Sequence, residues 1–143
     1  MKYKIVIDPS QSEDIILSAK EESPLLERLS VLLREQESIL YGYCDGSAVR
    51  LCPSEIYCLF IEQSRVVALT DEGRYTVKER MYRLEELLKD SFIKINQSCL
   101  VNVSRIRRFD LSIGGALSVV LENGFKDYIS RRQLRAVKER MGL

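Results

Sequence analysis

The sequence predicts an α+β fold in which antiparallel strands dominate. Short apolar runs recur along residues 39–129, and turn-forming dipeptides such as Asp45-Gly46 and Asn123-Gly124 separate neighbouring runs. Such dipeptides favour two-residue hairpins, so the runs are expected to pair as antiparallel strands. Three other segments repeat apolar residues at helical spacing. A chain with 45% apolar and 30% charged side chains has the composition of a packed protein, and its 143 residues have room for one ordinary domain or for a domain of about 100 residues with an extension.

Residues 1–38 are expected to form a β-β-helix extension ahead of the main domain. Residues 3–7 have the composition of a short strand. The next segment allows two interpretations. Ser10 and Glu13 could form the capping box of a helix, whereas the β-branched run in residues 15–19 favours a strand. We expect a second strand over residues 15–19, paired with the first.

The helix of this extension is predicted over residues 24–36. Ser23 can cap its N-terminus, and Pro24 suits the first helical position. A leucine stripe follows at the spacing of one helix face, and it consists of Leu25, Leu26, Leu29, Leu32 and Leu33. A stripe of this kind packs against a core more often than against a partner protein.

Residues 39–143 are predicted to form the main domain. Strands are predicted at residues 39–44, 48–52, 56–61, 66–69, 75–77, 92–95, 99–101, 106–111, 117–121 and 125–129. Apolar spacing predicts a short helix over residues 81–88 and a final helix over residues 131–141, which Ser130 can cap.

Charge is unevenly distributed along the chain, although the net charge is only +1. Residues 1–43 hold five basic and eight acidic side chains, whereas residues 91–143 hold ten basic and four acidic ones. A basic C-terminal part suits a polyanion such as nucleic acid, and an acidic N-terminal part suits a different task.

The residue inventory offers no catalytic or metal-binding constellation. The chain has no histidine, and Cys44, Cys52, Cys58 and Cys99 include no Cys-x-x-Cys pair. Neither His-dependent catalysis nor a familiar metal site is therefore expected, and we predict buried reduced thiols, no cofactor and no enzymatic activity. No apolar run approaches the roughly 18 residues of a membrane span, and no signal peptide is found, which predicts a cytoplasmic protein without membrane insertion.

The stretch at residues 92–108 places polar and basic side chains between apolar runs. Its amides, Asn96 and Gln97, each offer a donor and an acceptor side by side, the pattern that reads a base edge. Two other polar, partly basic loops, at residues 62–65 and 130–133, also adjoin predicted strands. A rigid sheet could direct all three loops at one ligand, but spacing alone does not show that they converge.

Residues 56–143 resemble the LytTR DNA-binding domain of bacterial response regulators, and three blocks carry the resemblance. The first, over residues 92–106, is Phe-Ile-Lys-Ile-Asn-Gln-Ser-Cys-Leu-Val-Asn-Val-Ser-Arg-Ile. It is similar to the family pattern Phe-x-Arg-x-His-Arg-Ser-x-Leu-Val-Asn-x-x-x-Ile. The second combines Leu-Glu-Asn-Gly at residues 121–124 with Ile-Ser-Arg-Arg-Gln-Leu at residues 129–134. The third is the short helix sequence Tyr-Arg-Leu-Glu-Glu-Leu-Leu at residues 82–88.

The resemblance implies an elongated, mostly antiparallel β fold. Its loops, instead of a recognition helix, would enter successive major grooves of bent double-stranded DNA. The positions that read bases in the family fall on Ser64 or Arg65, on Asn96 and Gln97, and on Arg132. Asn96 stands where the family more usually has histidine. Phosphate contacts are expected from neighbouring polar and basic residues, which are Lys94, Ser98, Arg105, Arg107, Arg108 and Arg131.

These expectations describe a bacterial transcriptional regulator. Residues 1–38 are too few for the phosphoacceptor receiver of a two-component regulator, so the chain resembles the stand-alone LytTR type. We expect a homodimer on repeated or paired promoter sites, with residues 1–38 mediating self-association or docking of a regulatory protein. The alternative is a protein-interaction module or antagonist that keeps the fold without binding DNA.

Overall fold

The structure, a computed structural model, describes residues 2–10, 15–37 and 39–143. Its first element is the helix α1 (Pro24–Glu37). The main domain follows, and its elements are β1 (Leu40–Cys44), β2 (Ser47–Leu51), β3 (Ile56–Glu62), β4 (Arg65–Thr70), β5 (Gly73–Val77), α2 (Met81–Leu87), β6 (Phe92–Asn96), β7 (Cys99–Asn102), β8 (Ile106–Leu111), β9 (Leu117–Leu121), β10 (Lys126–Tyr128) and α3 (Arg131–Met141). These bounds confirm the strands and helices predicted for the main domain to within one or two residues.

Two antiparallel sheets make up the main domain, as the hairpin pattern predicts. The larger sheet has seven strands in the order β2-β1-β5-β4-β3-β7-β6, and the smaller has three in the order β10-β9-β8. The β1–β2 turn shows how the sequence produces these pairings. Asp45 and Gly46 both have positive φ, 49° and 79°, the conformation that matches a two-residue turn to the twist of its strands.

Apolar side chains form two core clusters on opposite faces of the larger sheet. Leu100 and Val101, neighbours on β7, belong to different clusters because successive side chains of a strand point to opposite faces. The first cluster includes Leu84 and so joins the sheet to α2. The second includes Val119 and Val137 and so joins it to the smaller sheet and α3. Each fully buried Val, Leu or Ile side chain stabilises the fold by roughly 1.5–3 kcal/mol. The turns that follow these strands are therefore attached to a stable core.

The two strands predicted for the N-terminal extension are absent from its described residues, 2–10 and 15–23, so this prediction is wrong. The apolar side chains there are exposed, Tyr3 by 86% and Ile16 by 84%. A two-stranded ribbon without a covered face buries too little apolar surface to offset the entropy of ordering it. The competing capping box includes Glu13, which lies outside the described residues.

The predicted helix α1 is confirmed, but its leucines are more exposed than expected. Ser23 caps the helix, since its Oγ accepts a hydrogen bond from the Leu26 amide at 3.2 Å. Leu25, Leu29 and Leu32 are 42%, 37% and 53% exposed. The expected packing of the leucine stripe against a core is therefore wrong for these three side chains.

The cysteines occupy different environments. Cys58 and Cys99 are buried, as predicted, and burial raises the pKa of the Cys58 thiol to about 12. Burial also raises the pKa of the Cys99 thiol. The prediction is wrong for Cys44, which is exposed because it ends β1 at a hairpin turn away from the core.

Among the described residues, no group of three or more His, Cys, Asp or Glu side chains could hold a metal ion. Within the same ranges, no helix is long and apolar enough to cross a membrane.

Candidate nucleic-acid interface

The three polar loops singled out in the sequence lie together at one end of the larger sheet. The strand order brings the end of β3, the start of β7 and the end of β6 side by side. A hydrogen bond from Ile61 N to Ser98 O, 2.9 Å, joins the first two loops, and one from Ser130 N to Ile95 O, 2.8 Å, joins the third to β6. The name turn end is used below for residues 62–65, 96–98 and 130–133.

The β3–β4 turn presents polar side chains from an uncommon backbone conformation. Gln63 and Ser64 both have positive φ, 50° and 63°, which residues other than Gly, Asn and Asp rarely adopt. Arg65 is exposed and has no ion-pair partner among the described residues. Glu62 beside it pairs with Arg74. The turn therefore keeps Ser64 and Arg65 accessible at some cost in backbone strain, a feature that clusters at functional sites.

Asn96 is buried, and its amide holds the β6–β7 turn together. It is 2% exposed. Its Nδ2 donates to Tyr128 O at 2.9 Å and to Asp127 Oδ2 at 3.1 Å, while its Oδ1 accepts from Ser98 N at 2.9 Å. Both amide hydrogens are thus used within the protein. The geometry favours a supporting role for Asn96 over the base-reading role that the resemblance implies.

Gln97 and Ser98 form the exposed tip of the same turn. The Gln97 side chain makes no hydrogen bond to any described residue, so its donor and acceptor remain available to a ligand. Gln97 also lines a shallow groove together with Ser64 of the neighbouring turn. One ligand can therefore reach both side chains.

Arg131 and Arg132 begin α3 at the turn end, and both are exposed without an ion-pair partner among the described residues. The far end of α3 is fixed by Arg140, whose Nη1 donates to Lys89 O at 2.8 Å. Ser130 occupies the N-cap position, but its side chain makes no capping hydrogen bond, so the predicted cap is wrong. The helix is nevertheless held in place, and its first two arginines are exposed.

Three predicted phosphate contacts, Lys94, Arg105 and Arg108, have acidic partners, and Arg105 Nη1 lies 3.8 Å from Glu122 Oε2. Lys94 Nζ lies 3.7 Å from Glu85 Oε2. Arg108 Nε donates to Asp110 Oδ1 at 2.9 Å. A ligand phosphate would have to compete with these carboxylates, which lowers the gain from each contact.

Arg105 and Arg107 lie on or next to β8, away from the turn end. Arg105 Nη2 donates to Ser54 O at 3.0 Å, just before β3 begins and hence at the opposite end of the sheet. Its guanidinium also lies 4.9 Å from the centroid of the Tyr57 ring. Arg107 is exposed on β8, without an ion-pair partner in the described ranges. The structure does not bring these two arginines together with the residues of the turn end.

Lys78 and Arg80 extend the turn end, although the sequence analysis did not single them out. Val77, the last residue of β5, pairs with Val66 near the start of β4, so the segment that follows lies beside Arg65. Both cations are exposed, and neither has an ion-pair partner among the residues that the structure describes. The sequence does place both cations directly after an apolar strand. Only the pairing of β4 with β5, however, shows that this strand ends beside Arg65.

Comparison with known proteins shows the family and the fold of this chain. The family model of the LytTr DNA-binding domain matches residues 46–142, well over half of the chain. Two uncharacterized HTH-type transcriptional regulators of Staphylococcus aureus, from strains NCTC 8325 and COL, are each 29% identical over 109 residues, which cover 76% of this chain and 74% of theirs. A solved LytTr DNA-binding domain from Bacillus cereus aligns with a TM-score of 0.70 at 21% identity, covering 74% of this chain and 98% of that one. The chain belongs to the LytTR family of DNA-binding domains.

Proposed function

We propose that the chain is a sequence-specific transcriptional regulator that reads the major groove of DNA with the turn end. The observation that carries this proposal is the convergence of Gln97 and Arg132, both exposed and unpaired among the described residues, at one end of the larger sheet. Amide and guanidinium groups bind adenine and guanine edges in two-pronged fashion. In the described part of the chain no two helices follow one another, so loops are better placed than a helix-turn-helix to read bases.

We assign base reading to Gln97 and Arg132, with Ser64 or Arg65 as the third contact. Their loops are neighbours at the turn end of the larger sheet. A major groove is about 12 Å wide and can admit loops that project in this way. Asn96 supports the readers by fixing the loop, since its amide hydrogens are already used.

Phosphate contact is assigned first to Ser98 and Arg131, which lie beside the readers and are exposed. Lys94 lines the same groove as Gln97 but would have to leave Glu85 to bind a phosphate. Arg105 is better suited to holding β8 against the start of β3. Arg107 and Arg108 would reach DNA only if the duplex extended along the smaller sheet.

Binding of the full chain to its own upstream DNA tests this function. The dissociation constant is measured for that duplex and for a scrambled one, over about 50 to 200 mM salt. We expect tighter binding to the upstream duplex, and weaker binding to both as salt rises, because phosphate contacts release counterions. A protein-interaction module that keeps the fold without binding DNA would bind neither duplex.

The proposal also includes a homodimer in the cytoplasm, acting on repeated or paired sites. Residues 1–38 would mediate self-association or dock a regulatory protein. Two observations support this role: the N-terminal part is acidic, and Leu25, Leu29 and Leu32 of α1 are exposed on one helix face.

A further inference from the structure

Arg65, Lys78 and Arg80 line one groove beside the β3–β4 turn. None of the three has an ion-pair partner among the described residues. Most other cations of the main domain do have a carboxylate within ion-pair distance, namely Arg74, Arg83, Lys89, Lys94, Arg105, Arg108, Lys126 and Arg135. Cations without such partners keep their charge available to an anionic ligand.

Lys78 is held in place without being neutralised. Its Nζ lies 4.3 Å from the centroid of the Tyr43 ring, a cation–π contact that restricts the long side chain but leaves its charge. Arg80 lines this groove and also the groove shared by Ser64 and Gln97. The basic surface is therefore continuous with the base-reading turns.

Two carboxylates, those of Asp45 and Glu79, line the same groove, and each has a partner within the protein. Glu79 Oε2 lies 3.7 Å from Arg83 Nε, which offsets its charge. Asp45 lies at the β1–β2 turn, where its carboxylate accepts a hydrogen bond from the Cys44 thiol at 3.6 Å. A phosphate would be repelled by Asp45 and attracted by the three cations, so the anion site is confined to the β4–β5 side of the groove.

The groove lies at one end of the row of strand ends that carries the proposed DNA contacts. Along the turn end the strands follow the order β5, β4, β3, β7 and β6. Adjacent strands are about 4.8 Å apart, so the ends of β5 and β6 are about 19 Å apart. At about 3.4 Å per base pair, this distance corresponds to roughly six base pairs. Arg132 begins α3 on the other side of β6.

We propose that Lys78 and Arg80 form a phosphate-binding site for the DNA backbone, beside Arg65 of the β3–β4 turn and on the flank opposite to the one that Arg132 contacts. This inference rests on the proposed function. The site adds affinity that does not depend on sequence, and it requires duplex to extend roughly four to six base pairs beyond the Gln97 contact on that side.

The double variant Lys78→Ala/Arg80→Ala of the full chain tests the site, with Lys89→Ala/Lys138→Ala as the matched control. The control removes the same net charge at the opposite end of the molecule, where Arg140 bonds to the Lys89 carbonyl, and it also breaks one exposed ion pair, between Lys89 Nζ and Glu86 Oε1 at 3.2 Å. Affinities are measured for the target and for a scrambled duplex over a range of salt. The test variant should weaken binding to both duplexes by the same factor and flatten the slope of log K against log salt by about 1.8.

Shortening the target from each end in turn gives a second readout. Removal of the flank that contacts Lys78 and Arg80 should lower wild-type affinity to the level of the test variant and leave the variant unchanged. Removal of the other flank should weaken both proteins by the same factor.

Two failures can be told apart. If the wild type binds its target but the test variant keeps the wild-type affinity and salt slope, or the control variant loses as much, the inference is overturned. If the wild type binds neither duplex, the proposed function itself is overturned.

Discussion

At the scale of single residues, burial separates two amides that look alike in the sequence. Asn96 and Gln97 are neighbours, and both were expected to read bases. A register shift between Lys94 and Asn96 in the β6–β7 pairing turns the Asn96 side chain inward, where Asp127 and Tyr128 bind it. Gln97 remains exposed at the tip. Side-chain chemistry identified the pair, but only the register assigns their roles.

Asn96→Ala and Gln97→Ala should therefore change different properties: the first should lower stability, and the second should lower discrimination between DNA sequences. The first leaves Asp127 Oδ2 and the Tyr128 carbonyl without the Asn96 donor, and should lower the free energy of unfolding by about 1–3 kcal/mol. Gln97→Ala should change stability by less than about 0.5 kcal/mol. It should instead reduce discrimination between target and scrambled DNA by about 1–3 kcal/mol. Urea unfolding and competition binding measure the two quantities, and the reverse pattern would refute the assignment.

The adjacent arginines Arg131 and Arg132 are expected to differ as well. Arg131→Ala should weaken binding to target and scrambled duplexes equally, because a phosphate contact carries no sequence information. Arg132→Ala should weaken target binding by about 1–3 kcal/mol more than scrambled binding. Arg132→Lys is the control that keeps the charge but loses the two-pronged geometry, and full recovery of specificity in that variant would argue against base reading.

Thiol reactivity reports the burial of the cysteines. A thiol whose pKa is raised holds less reactive thiolate at mildly alkaline pH, and the pKa of Cys58 is raised to about 12. The negative charge of Asp45 raises the pKa of the Cys44 thiol as well, so the expected difference in labelling rests mainly on exposure. Burial also shields Cys58 and Cys99 from reagent, whereas Cys44 is exposed. Alkylation of the folded protein, followed by peptide mass spectrometry, should label Cys44 first and the buried pair only on unfolding. Early labelling of Cys99 would contradict the core packing.

At the scale of elements, the β3–β4 turn holds Gln63 and Ser64 at positive φ without a glycine or asparagine. Replacing the pair by Asn-Gly, the dipeptide that suits this turn, should stabilise the fold by about 1 kcal/mol by removing backbone strain. The same change removes the Ser64 side chain and should weaken target binding. Thermal unfolding and DNA titration of Gln63→Asn/Ser64→Gly test both effects, and unchanged stability would show that the turn is not strained.

Elements with local signals were predictable, and those that depend on distant partners were not. The Asp45-Gly46 and Asn123-Gly124 dipeptides identified hairpins because they set the local backbone conformation. The strands expected at residues 3–7 and 15–19 had only β-rich composition, with no sheet to cover them. Composition without a partner surface does not make a strand.

At the scale of the whole molecule, the candidate site depends on topology. Residues 62–65, 96–98 and 130–133 are far apart in the chain, and the β3–β7–β6 order brings them together. Lys78 and Arg80 join them through the pairing of β5 with β4. Loop composition identified the members of the site, whereas their convergence required the register of several strands.

The N-terminal extension can be tested at this scale by deleting residues 1–38. Both core clusters lie within residues 39–143, so the remaining domain should stay folded. Sedimentation should show loss of the dimer, and Leu25→Gln/Leu29→Gln in the full chain should reproduce that loss because both leucines are exposed. An unchanged oligomeric state, together with unchanged regulation of a reporter promoter, would rule out both roles proposed for the extension.

The most direct test of base reading by the turn end compares wild type and Arg132→Ala on a target selected from random duplexes. Each base pair of the target is changed in turn, and the dissociation constant is measured for both proteins. We predict one G·C pair whose replacement costs the wild type about 1–3 kcal/mol and costs Arg132→Ala nothing. If the two profiles have the same shape, with the variant uniformly weaker, Arg132 does not read a base and the central claim is wrong.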